Sequence, residues 1–215
     1  MTVNSQRSVA TVAVIDDDPG VLESLNTILR SVGHRVETFG TTQAYLSRAG
    51  VEPDCIVLDI RMPGRSGLDF QDDLAKRGDQ TSIVIMSGYA DVPMSVRAMK
   101  AGATEFLVKP VRAQDLLDAV DHAIARTLVM RLEGQRLAHL RASFDTLTTR
   151  EREIFGHVAA GAMNKNIAAA VGLSEATVKV HRGSVMRKMG ARSLADLVRM
   201  ADQLGVALKP CLADT

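Results

Sequence analysis

The sequence has no long hydrophobic run and only two cysteines, and both absences narrow the classes of protein to which it can belong. No stretch approaches the roughly 18 uncharged apolar residues that a membrane-spanning helix needs. The apolar run near the amino terminus is too short for a secretory signal sequence before acidic residues interrupt it. Cys55 and Cys211 lie in different segments and indicate no disulfide framework. We therefore expect a cytoplasmic protein that does not enter membranes.

Charge is distributed unevenly along the 215 residues, a length that suits two modest domains. Residues 1–126 carry 13 Lys and Arg against 17 Asp and Glu, a net charge of −4. Residues 127–215 carry 13 against 8, a net charge of +5. An acidic first part and a basic second part indicate different partners: cations or phosphoryl groups for the first, a polyanion for the second.

The first part alternates short β-type segments with helix-length segments. Three of the β-type segments, VAVI, CIVL and IVIM, are continuously apolar, as strands covered by helices on both faces are. Asp91 before Val92-Pro93 has the pattern of a helix N-cap with proline in the first turn. The alternation predicts an open parallel sheet with right-handed crossovers. The predicted strands are Thr11–Ile15, Arg35–Phe39, Cys55–Leu58, Ser82–Met86 and Glu105–Val108.

No strand is predicted after Pro110. Residues 112–141 have one helical pattern, whose polar second half is either a helical linker or a solvated surface helix. The rest of the chain is predicted to be all-helical, with glycines at three of the breaks, as C-terminal caps require. These helices are Thr148–Ala160, Asn164–Val171, Ser174–Met189 and Ser193–Leu204. The predicted organisation is a first domain at 8–126, a linker at 127–142 and a second domain at 143–208.

Polar residues stand where four of the predicted strands end. Asp16 and Asp17 follow the first strand, Asp59 ends the third, Ser87 the fourth and Lys109 the fifth. Because ligands bind at the carboxyl ends of parallel strands, we expect these side chains to surround one crevice. Taken singly, each has an ordinary alternative, such as a solvated helix cap for Asp16–Asp18; four strand ends together favour the crevice.

The expected crevice suits phosphoryl chemistry. Clustered carboxylates repel one another unless a cation joins them, and Mg²⁺ prefers oxygen ligands. One carboxylate, Asp59, is then placed to accept a phosphoryl group. The ammonium of Lys109 and the hydroxyl of Ser87 are suited to stabilising the phosphoryl oxygens. No member of the set suggests a base for rapid hydrolysis, so the phosphoryl group is expected to persist as a signal.

Residues 8–126 resemble the receiver domain of two-component response regulators. The resemblance is carried by Asp16-Asp17, by DIRMPGRSG from Asp59 to Gly67, by Ser87-Gly88 and by Lys109-Pro110. It implies a flavodoxin-like, five-stranded, doubly wound α/β fold. It also implies that a sensor histidine kinase phosphorylates Asp59, and that the Lys109–Pro110 peptide is cis.

The resemblance further implies a metal site and a switch. Mg²⁺ is expected on Asp17, Asp59 and the backbone carbonyl of Arg61, with Asp16 helping through water. On phosphorylation the Ser87 hydroxyl is expected to move and Phe106 to turn inward; many relatives carry tyrosine at the latter position. Tyr89 borders the pocket in such receivers and is a candidate for setting the rate of phosphoryl loss.

The basic second part contains a helix with an exposed cationic face. Thr148 and Glu151 form a capping-box pattern, and a short helix with a glycine break precedes the helix that Ser174 caps. On this last helix Lys179, Arg182 and Gly183 share one face, while Val178, Val185 and Met189 face the bundle. Such a helix suits entry into the major groove of DNA. Arg187 and Lys188 are interpreted as a solvated face.

Residues 143–206 resemble the LuxR-type four-helix DNA-binding domain. The resemblance is carried by LTxRE at 147–151, NKxIA at 164–168 and SxxTVKVHxxxVxxKM at 174–189. It implies an all-α helix-turn-helix fold with Lys179, Val180 and Gly183 nearest the bases. It implies phosphate contacts for Lys165, Thr177, His181 and Arg182, although His181 is equally well interpreted as a packed histidine.

Together these features predict a transcription regulator controlled by phosphorylation. Its expected partners are a sensor histidine kinase, double-stranded promoter DNA, RNA polymerase and, once phosphorylated, a second copy of itself. It is not expected to be an enzyme beyond Mg²⁺-dependent self-phosphorylation from a phosphodonor and slow self-dephosphorylation. Two other functions compete: a Mg²⁺-dependent phosphohydrolase that uses Asp59 covalently, and an interaction-only adaptor or atypical receiver whose output is constitutive.

Overall fold

The computed structural model describes residues 9–64, 66–89 and 91–207. Four features of the sequence analysis lie outside the described residues. They are the predicted start of the first domain at residue 8, the predicted end of the second domain at residue 208, the first residues of the amino-terminal segment that was considered as a signal sequence, and Cys211. The described residues form two compact units, the first ending at Arg131 and the second beginning at Leu132.

The first unit contains a five-stranded sheet in which every neighbouring pair of strands is parallel. The spatial order of the strands is β2-β1-β3-β4-β5, so the sheet is an open one with crossover connections. All five predicted strands are present, and two of them end one residue later than predicted. Their bounds are β1 (Thr11–Ile15), β2 (Arg35–Phe39), β3 (Cys55–Asp59), β4 (Ser82–Ser87) and β5 (Glu105–Val108).

Helices cover both faces of this sheet, which explains the continuously apolar central strands. The helices are α1 (Pro19–Ser31), α2 (Thr42–Leu46), α3 (Gly67–Lys76), α4 (Val92–Lys100) and α5 (Ala113–Asp145). Alternate strand residues such as Val14 and Val57 pack with α1 and α5, and their neighbours Ile15 and Leu58 pack with α2, α3 and α4. The fold class predicted from the sequence is confirmed for this part.

Helix α5 is continuous over 33 residues, so the polar segment after residue 126 continues the same helix. The sequence analysis ends the first domain at residue 126, but two side chains of α5 after that residue bond to the segments where β3 and β4 begin. The buried hydroxyl of Thr127 accepts the backbone N–H of Ser82 at 2.8 Å. The Arg131 guanidinium donates to Asp54 at 2.8 Å and to the Pro53 carbonyl at 2.7 Å.

As far as residue 207, the second unit contains four further helices, α6 (Thr149–Ala159), α7 (Asn164–Val171), α8 (Glu175–Met189) and α9 (Leu194–Leu204). Their apolar faces and the end of α5 form one core, in which Ile154, Phe155, Val178 and Leu197 are buried. The predicted capping box of Thr148 and Glu151 is present. Gly172 and Gly190 end α7 and α8 in the left-handed conformation that glycine adopts without strain. The predicted all-α second domain is confirmed.

Among the described residues, no helix combines the length and the apolar composition that crossing a membrane would require.

Candidate phosphorylation site and nucleic-acid interface

The sheet brings the predicted polar residues to one edge. β1 ends at Ile15, directly before Asp16, while Asp59 and Ser87 are the last residues of the adjacent strands β3 and β4. Lys109 follows β5, and its backbone N–H donates to the Ser87 carbonyl at 2.8 Å. Parallel pairing therefore places side chains from four segments around the carboxyl end of the sheet, as the strand pattern predicts.

Three carboxylates meet at this edge. Asp16, Asp17 and Asp59 each offer an oxygen, and these atoms lie within 4.8 Å of one another. Asp16 and Asp59 are buried, whereas Asp17 is exposed. Asp18 stands apart because its side chain caps α1 by accepting the N–H groups of Gly20 and Val21. The helix-cap alternative therefore holds for Asp18, and the remaining acids form a cluster that could hold a metal ion.

Lys109 is the cation of the cluster. Its ammonium nitrogen lies 2.5 Å from Asp16 Oδ2 and 3.3 Å from Asp59 Oδ2. Burial favours the neutral amine, but the hydrogen bond to Asp16 and the charge of both carboxylates outweigh it and raise the pKa of Lys109. Lys109 is therefore charged at neutral pH. The peptide bond to Pro110 is cis, as the resemblance implies.

The carboxyl group of Asp59 is incompletely satisfied. Burial raises its pKa above the ordinary value; Lys109 and the backbone N–H of Arg61 oppose this shift, while Asp16 adds to it. Asp59 Oδ1 is buried and has no hydrogen-bond partner. A buried oxygen without a partner is costly, so this atom indicates room for a cation or another electrophilic group. The residues present thus fit a hard, oxygen-seeking metal ion.

Ser87 and its neighbours form another side of the site, at the end of β4. Ser87 is fully buried, and its hydroxyl donates to the Tyr89 carbonyl at 2.9 Å. The Tyr89 ring is 67% exposed and lies under the Arg61 guanidinium, 5.0 Å from its centroid. Phe106 is half-buried against the core on the α3 and α4 side of the sheet. The roles predicted for these residues are not visible in one conformation and stay predictions.

Gly67, the last residue of the DIRMPGRSG segment, packs directly against the backbone of Asp59 and Ile60. A Cβ at this position would lie 2.4 Å from the Asp59 carbonyl oxygen and 2.9 Å from Ile60 Cα. The Gly67 N–H also donates to the Ile60 carbonyl at 3.0 Å. The loop after β3 can therefore fold back against Asp59 only because residue 67 has no side chain.

The predicted DNA-contacting residues lie on the α7–α8 pair. Lys165, Lys179 and Gly183 are exposed, and Val180 is 72% exposed. An exposed valine on a basic helix is not explained by core packing, which distinguishes this face from the buried one at Val178 and Val185. Other predicted contacts are half-buried: Thr177, His181 and Arg182.

Two cations on α8 bond to residues of this domain that lie outside α8. The Arg182 guanidinium donates to Asn164 Oδ1 at 3.1 Å, so it ties α8 to the start of α7. Lys188 does not lie on a solvated face, as the sequence interpretation had it. Its ammonium donates to buried Glu151 at 2.7 Å and to the Thr146 carbonyl at 3.1 Å. The interpretation was wrong because the partner precedes Lys188 by 37 residues and lies on another helix.

Comparison with known proteins agrees with this geometry. Residues 12–121 match the family described as response regulator receiver domain, and residues 145–201 match bacterial regulatory proteins of the luxR family. Nodulation protein W of Bradyrhizobium diazoefficiens is 47% identical over 201 residues, covering 92% of this chain and 88% of that protein. Response regulator protein TmoT of Ectopseudomonas mendocina is 42% identical over 208 residues, covering 96% and 94%. The solved structure of response regulator StyR has a TM-score of 0.78 at 43% identity and covers 91% of this chain and 100% of that one.

The chain therefore belongs to the response regulators, the class of protein that the receiver fold and the acidic site define. Within that class its output domain is a LuxR-type DNA-binding domain. A receiver domain implies a kinase as partner, and the output domain implies DNA.

Proposed function

We propose that phosphorylation of Asp59 switches this response regulator and thereby controls DNA binding through α8. The observation that carries the proposal is the state of the Asp59 carboxylate. Its Oδ1 is buried without a partner, while its Oδ2 lies 3.3 Å from the charged Lys109. A carboxylate with a free oxygen beside a fixed cation suits nucleophilic attack on phosphorus, because the cation stabilises the phosphoryl oxygens.

The proposed donor is the phosphohistidine of a sensor histidine kinase. The P–N bond of the donor breaks as a bond forms between phosphorus and an Asp59 oxygen, and the imidazole leaves with the electron pair. The product is an acyl phosphate at the carboxyl end of the sheet. Lys109 is then placed to hold one phosphoryl oxygen, and Ser87 can reach another by giving up the Tyr89 carbonyl.

Mg²⁺ is the proposed cofactor, held by Asp16, Asp17, Asp59 and the Arg61 carbonyl. The support is the trio of carboxylate oxygens within 4.8 Å and the unpartnered Oδ1 of Asp59. When bound, Mg²⁺ supplies positive charge that offsets the repulsion among the carboxylates and the charge of the phosphoryl group.

We further propose that the site stores the phosphoryl group and does not turn over phosphate esters. Among the described residues, the side chains placed around Asp59 already have roles in holding a cation or the phosphoryl oxygens. None is left to activate water as a general base. Slow self-dephosphorylation is therefore expected, with the exposed edge at Arg61 and Tyr89 setting the access of water.

The switch is proposed to act on the surface formed by α4 and β5. Phe106 is the ring expected to turn inward when Ser87 moves. Val92, Val96, Met99 and Val108 expose 76%, 45%, 46% and 54% of their surface, an unusual density of apolar side chains. This patch is the proposed contact between two phosphorylated copies.

A dimer would present two recognition helices to double-stranded promoter DNA. Two half-sites about one helical turn apart fit such a pair of helices. Lys179, Val180 and Gly183 are proposed to face the bases, since they are exposed on one helix and the valine can meet a thymine methyl group. Lys165, Thr177, His181 and Arg182 are proposed to lie near phosphates. We also propose that the protein recruits RNA polymerase and is located in the cytoplasm, because a regulator acts at promoters there.

The test compares wild type with Asp59→Asn in sedimentation velocity and in duplex-DNA binding, with and without beryllofluoride plus Mg²⁺. The expected result is a monomer-to-dimer shift and tighter DNA binding in wild type only, and only with both reagents. A wild type that ignores beryllofluoride, or an Asp59→Asn variant that responds equally, would overturn the proposal. Release of many phosphates per chain from phosphate monoesters would instead support the phosphohydrolase.

A further inference from the structure

Met94 contacts the hydroxyl group on which the proposed switch depends. Its thioether sulfur lies 3.9 Å from Ser87 Oγ, within hydrogen-bonding range for sulfur. The same hydroxyl lies 2.9 Å from the Tyr89 carbonyl, and Ser87 Oγ accepts the Tyr89 N–H at 3.2 Å. A hydroxyl has a single proton, so the Tyr89 carbonyl at 2.9 Å and the Met94 sulfur at 3.9 Å are alternative acceptors for it, and the carbonyl is the nearer of the two.

The backbone of Met94 belongs to the first turn of α4. Its N–H donates to the N-cap carboxylate of Asp91 at 2.7 Å, which fixes where the side chain starts. The side chain is half-buried against the same core cluster as Phe106, and it also lines an open depression of about 600 Å³ with Asp17 and Arg61. Met94 therefore touches the acceptor crevice, the switch hydroxyl and the core that Phe106 must enter.

The rest of α4 is attached mainly at its other end. Ala98 is the buried residue of the helix, and the buried Gln71 amide donates to its carbonyl at 3.2 Å. The Arg97–Asp69 ion pair, at 3.5 Å, is well exposed and contributes little. In the amino-terminal half of α4, Val92 and Val96 are exposed, whereas Met94 is half-buried and contacts Ser87 at the end of β4. Such a segment can move at low cost.

We propose that Met94 is a positioning residue of the phosphorylation switch, which couples the Ser87 hydroxyl to the first turn of α4. In the unphosphorylated protein the thioether holds the hydroxyl and that turn together. When the hydroxyl leaves for a phosphoryl oxygen, the contact is lost and the α4 surface is released. The inference rests on the proposed function and adds the residue that transmits the signal from β4 to α4.

The contact stabilises the resting state alone, so its removal shifts the equilibrium towards the active state. Met94→Leu keeps the volume and the packing but has no acceptor atom. We expect this variant to lower the half-saturating beryllofluoride concentration for dimerisation by about two- to fivefold, the size of one weak hydrogen bond. We expect DNA affinity without beryllofluoride to rise by a similar factor.

Met62→Leu is the matched control. Met62 packs against the same core cluster and lines the same depression, but no hydrogen bond joins it to Ser87 in the described structure. We expect it to leave the half-saturating concentration unchanged. In a Ser87→Ala background, where the hydroxyl is already gone, Met94→Leu is expected to leave DNA affinity unchanged.

A spectroscopic readout separates positioning from mere packing. In full-length protein labelled with ¹³C-methyl methionine, the Met94 signal is expected to move on addition of beryllofluoride and to move in Ser87→Ala without it. The Met62 signal is expected to move less in both cases. Equal behaviour of the two leucine variants, or a Met94→Leu effect that persists without Ser87, overturns the inference while leaving the proposed function intact. A wild type that does not respond to beryllofluoride overturns both.

Discussion

Lys109 Nζ lies 3.3 Å from Asp59 Oδ2, and a 2.5 Å bond to the fully buried Asp16 holds it in that position. Asp16 thus acts on the proposed acceptor through the cation it orients. The arrangement joins the first, third and fifth strands of the sheet, so the charge beside Asp59 is set by the fold and not by a flexible surface lysine. The Lys109 ammonium is therefore held beside Asp59 without any bound ligand.

Removing the Lys109 cation should weaken binding of a phosphoryl analogue. In Lys109→Met we expect the beryllofluoride concentration for half-maximal dimerisation to rise at least tenfold, or roughly 1.4 kcal/mol, because one phosphoryl oxygen loses its charged partner. Sedimentation velocity over a beryllofluoride series measures it. Lys76→Met, which removes an exposed lysine at the end of α3, away from the proposed dimer surface, is the control and should behave as wild type. An unchanged half-saturation in Lys109→Met would contradict the assigned role.

A methyl group at residue 67 should disrupt the acceptor loop. Its 2.4 Å contact would be with the Asp59 carbonyl oxygen, which belongs to the backbone and cannot rotate away as a side chain could. For Gly67→Ala we expect unfolding free energy to fall by about 1–3 kcal/mol, measured by urea denaturation, and beryllofluoride binding to weaken. Gly40→Ala is the control because a Cβ there would meet no atom within 4 Å. Equal stability of the two variants would show that the loop moves freely.

The sheet and the acceptor crevice could be predicted because a parallel topology converts chain position into spatial position. Asp16, Asp59, Ser87 and Lys109 are far apart in sequence, but each stands at the end of a strand. Once the strands are recognised from their apolar runs, the carboxyl edge collects these residues without further information. The capping box at Thr148 was equally predictable, since its two partners lie three residues apart.

Contacts between remote polar residues could not be predicted in this way. Helical periodicity states which face a residue occupies but not what lies opposite. It predicts a solvated position for Lys188, although the Lys188 ammonium pairs with the carboxylate of Glu151 on another helix. It gave no reason for Thr127 or Arg131 to bond to the start of the strands. Met94 looked like an ordinary apolar residue of α4, and its contact with Ser87 depends on the side-chain conformation.

The hydroxyl of Thr127, which lies just after the predicted end of the first domain, should stabilise the first unit. Thr127→Val leaves the buried Ser82 N–H without a partner at nearly constant volume, and we expect a loss of about 1–3 kcal/mol in unfolding free energy. Thr127→Ser keeps the acceptor and should recover most of the loss. Urea denaturation of the full-length variants measures both. If valine and serine destabilise equally, the effect comes from packing and the hydrogen bond is unimportant.

Loss of Lys165, which is proposed to contact a DNA phosphate, should change the salt dependence of DNA binding. Lys165→Met should reduce the magnitude of the slope of log K against log salt by about 0.9, because one fewer counterion is released. Fluorescence anisotropy on a duplex over a salt series measures the slope. Arg187→Met is the control, since Arg187 is exposed and is interpreted as part of a solvated face. Equal slopes in the two variants would remove Lys165 from the DNA interface.

Glu151 should make the stability of the helical domain depend on pH in the acid range. Hydrogen bonds from Lys188, Ser184 and the Thr148 backbone lower its pKa from 4.5 to about 2. Because the folded pKa is depressed, the stabilisation is complete above pH 4.5 and is lost as pH falls towards 2. Glu151→Gln removes the charge, so we expect it to be less stable than wild type by about 2 kcal/mol at pH 7. Calorimetry of the full-length chain from pH 7 to pH 2 should show the difference between the two proteins shrinking below pH 4.5. A gap that stays constant to pH 2 would mean that the charge of Glu151 does not stabilise the fold.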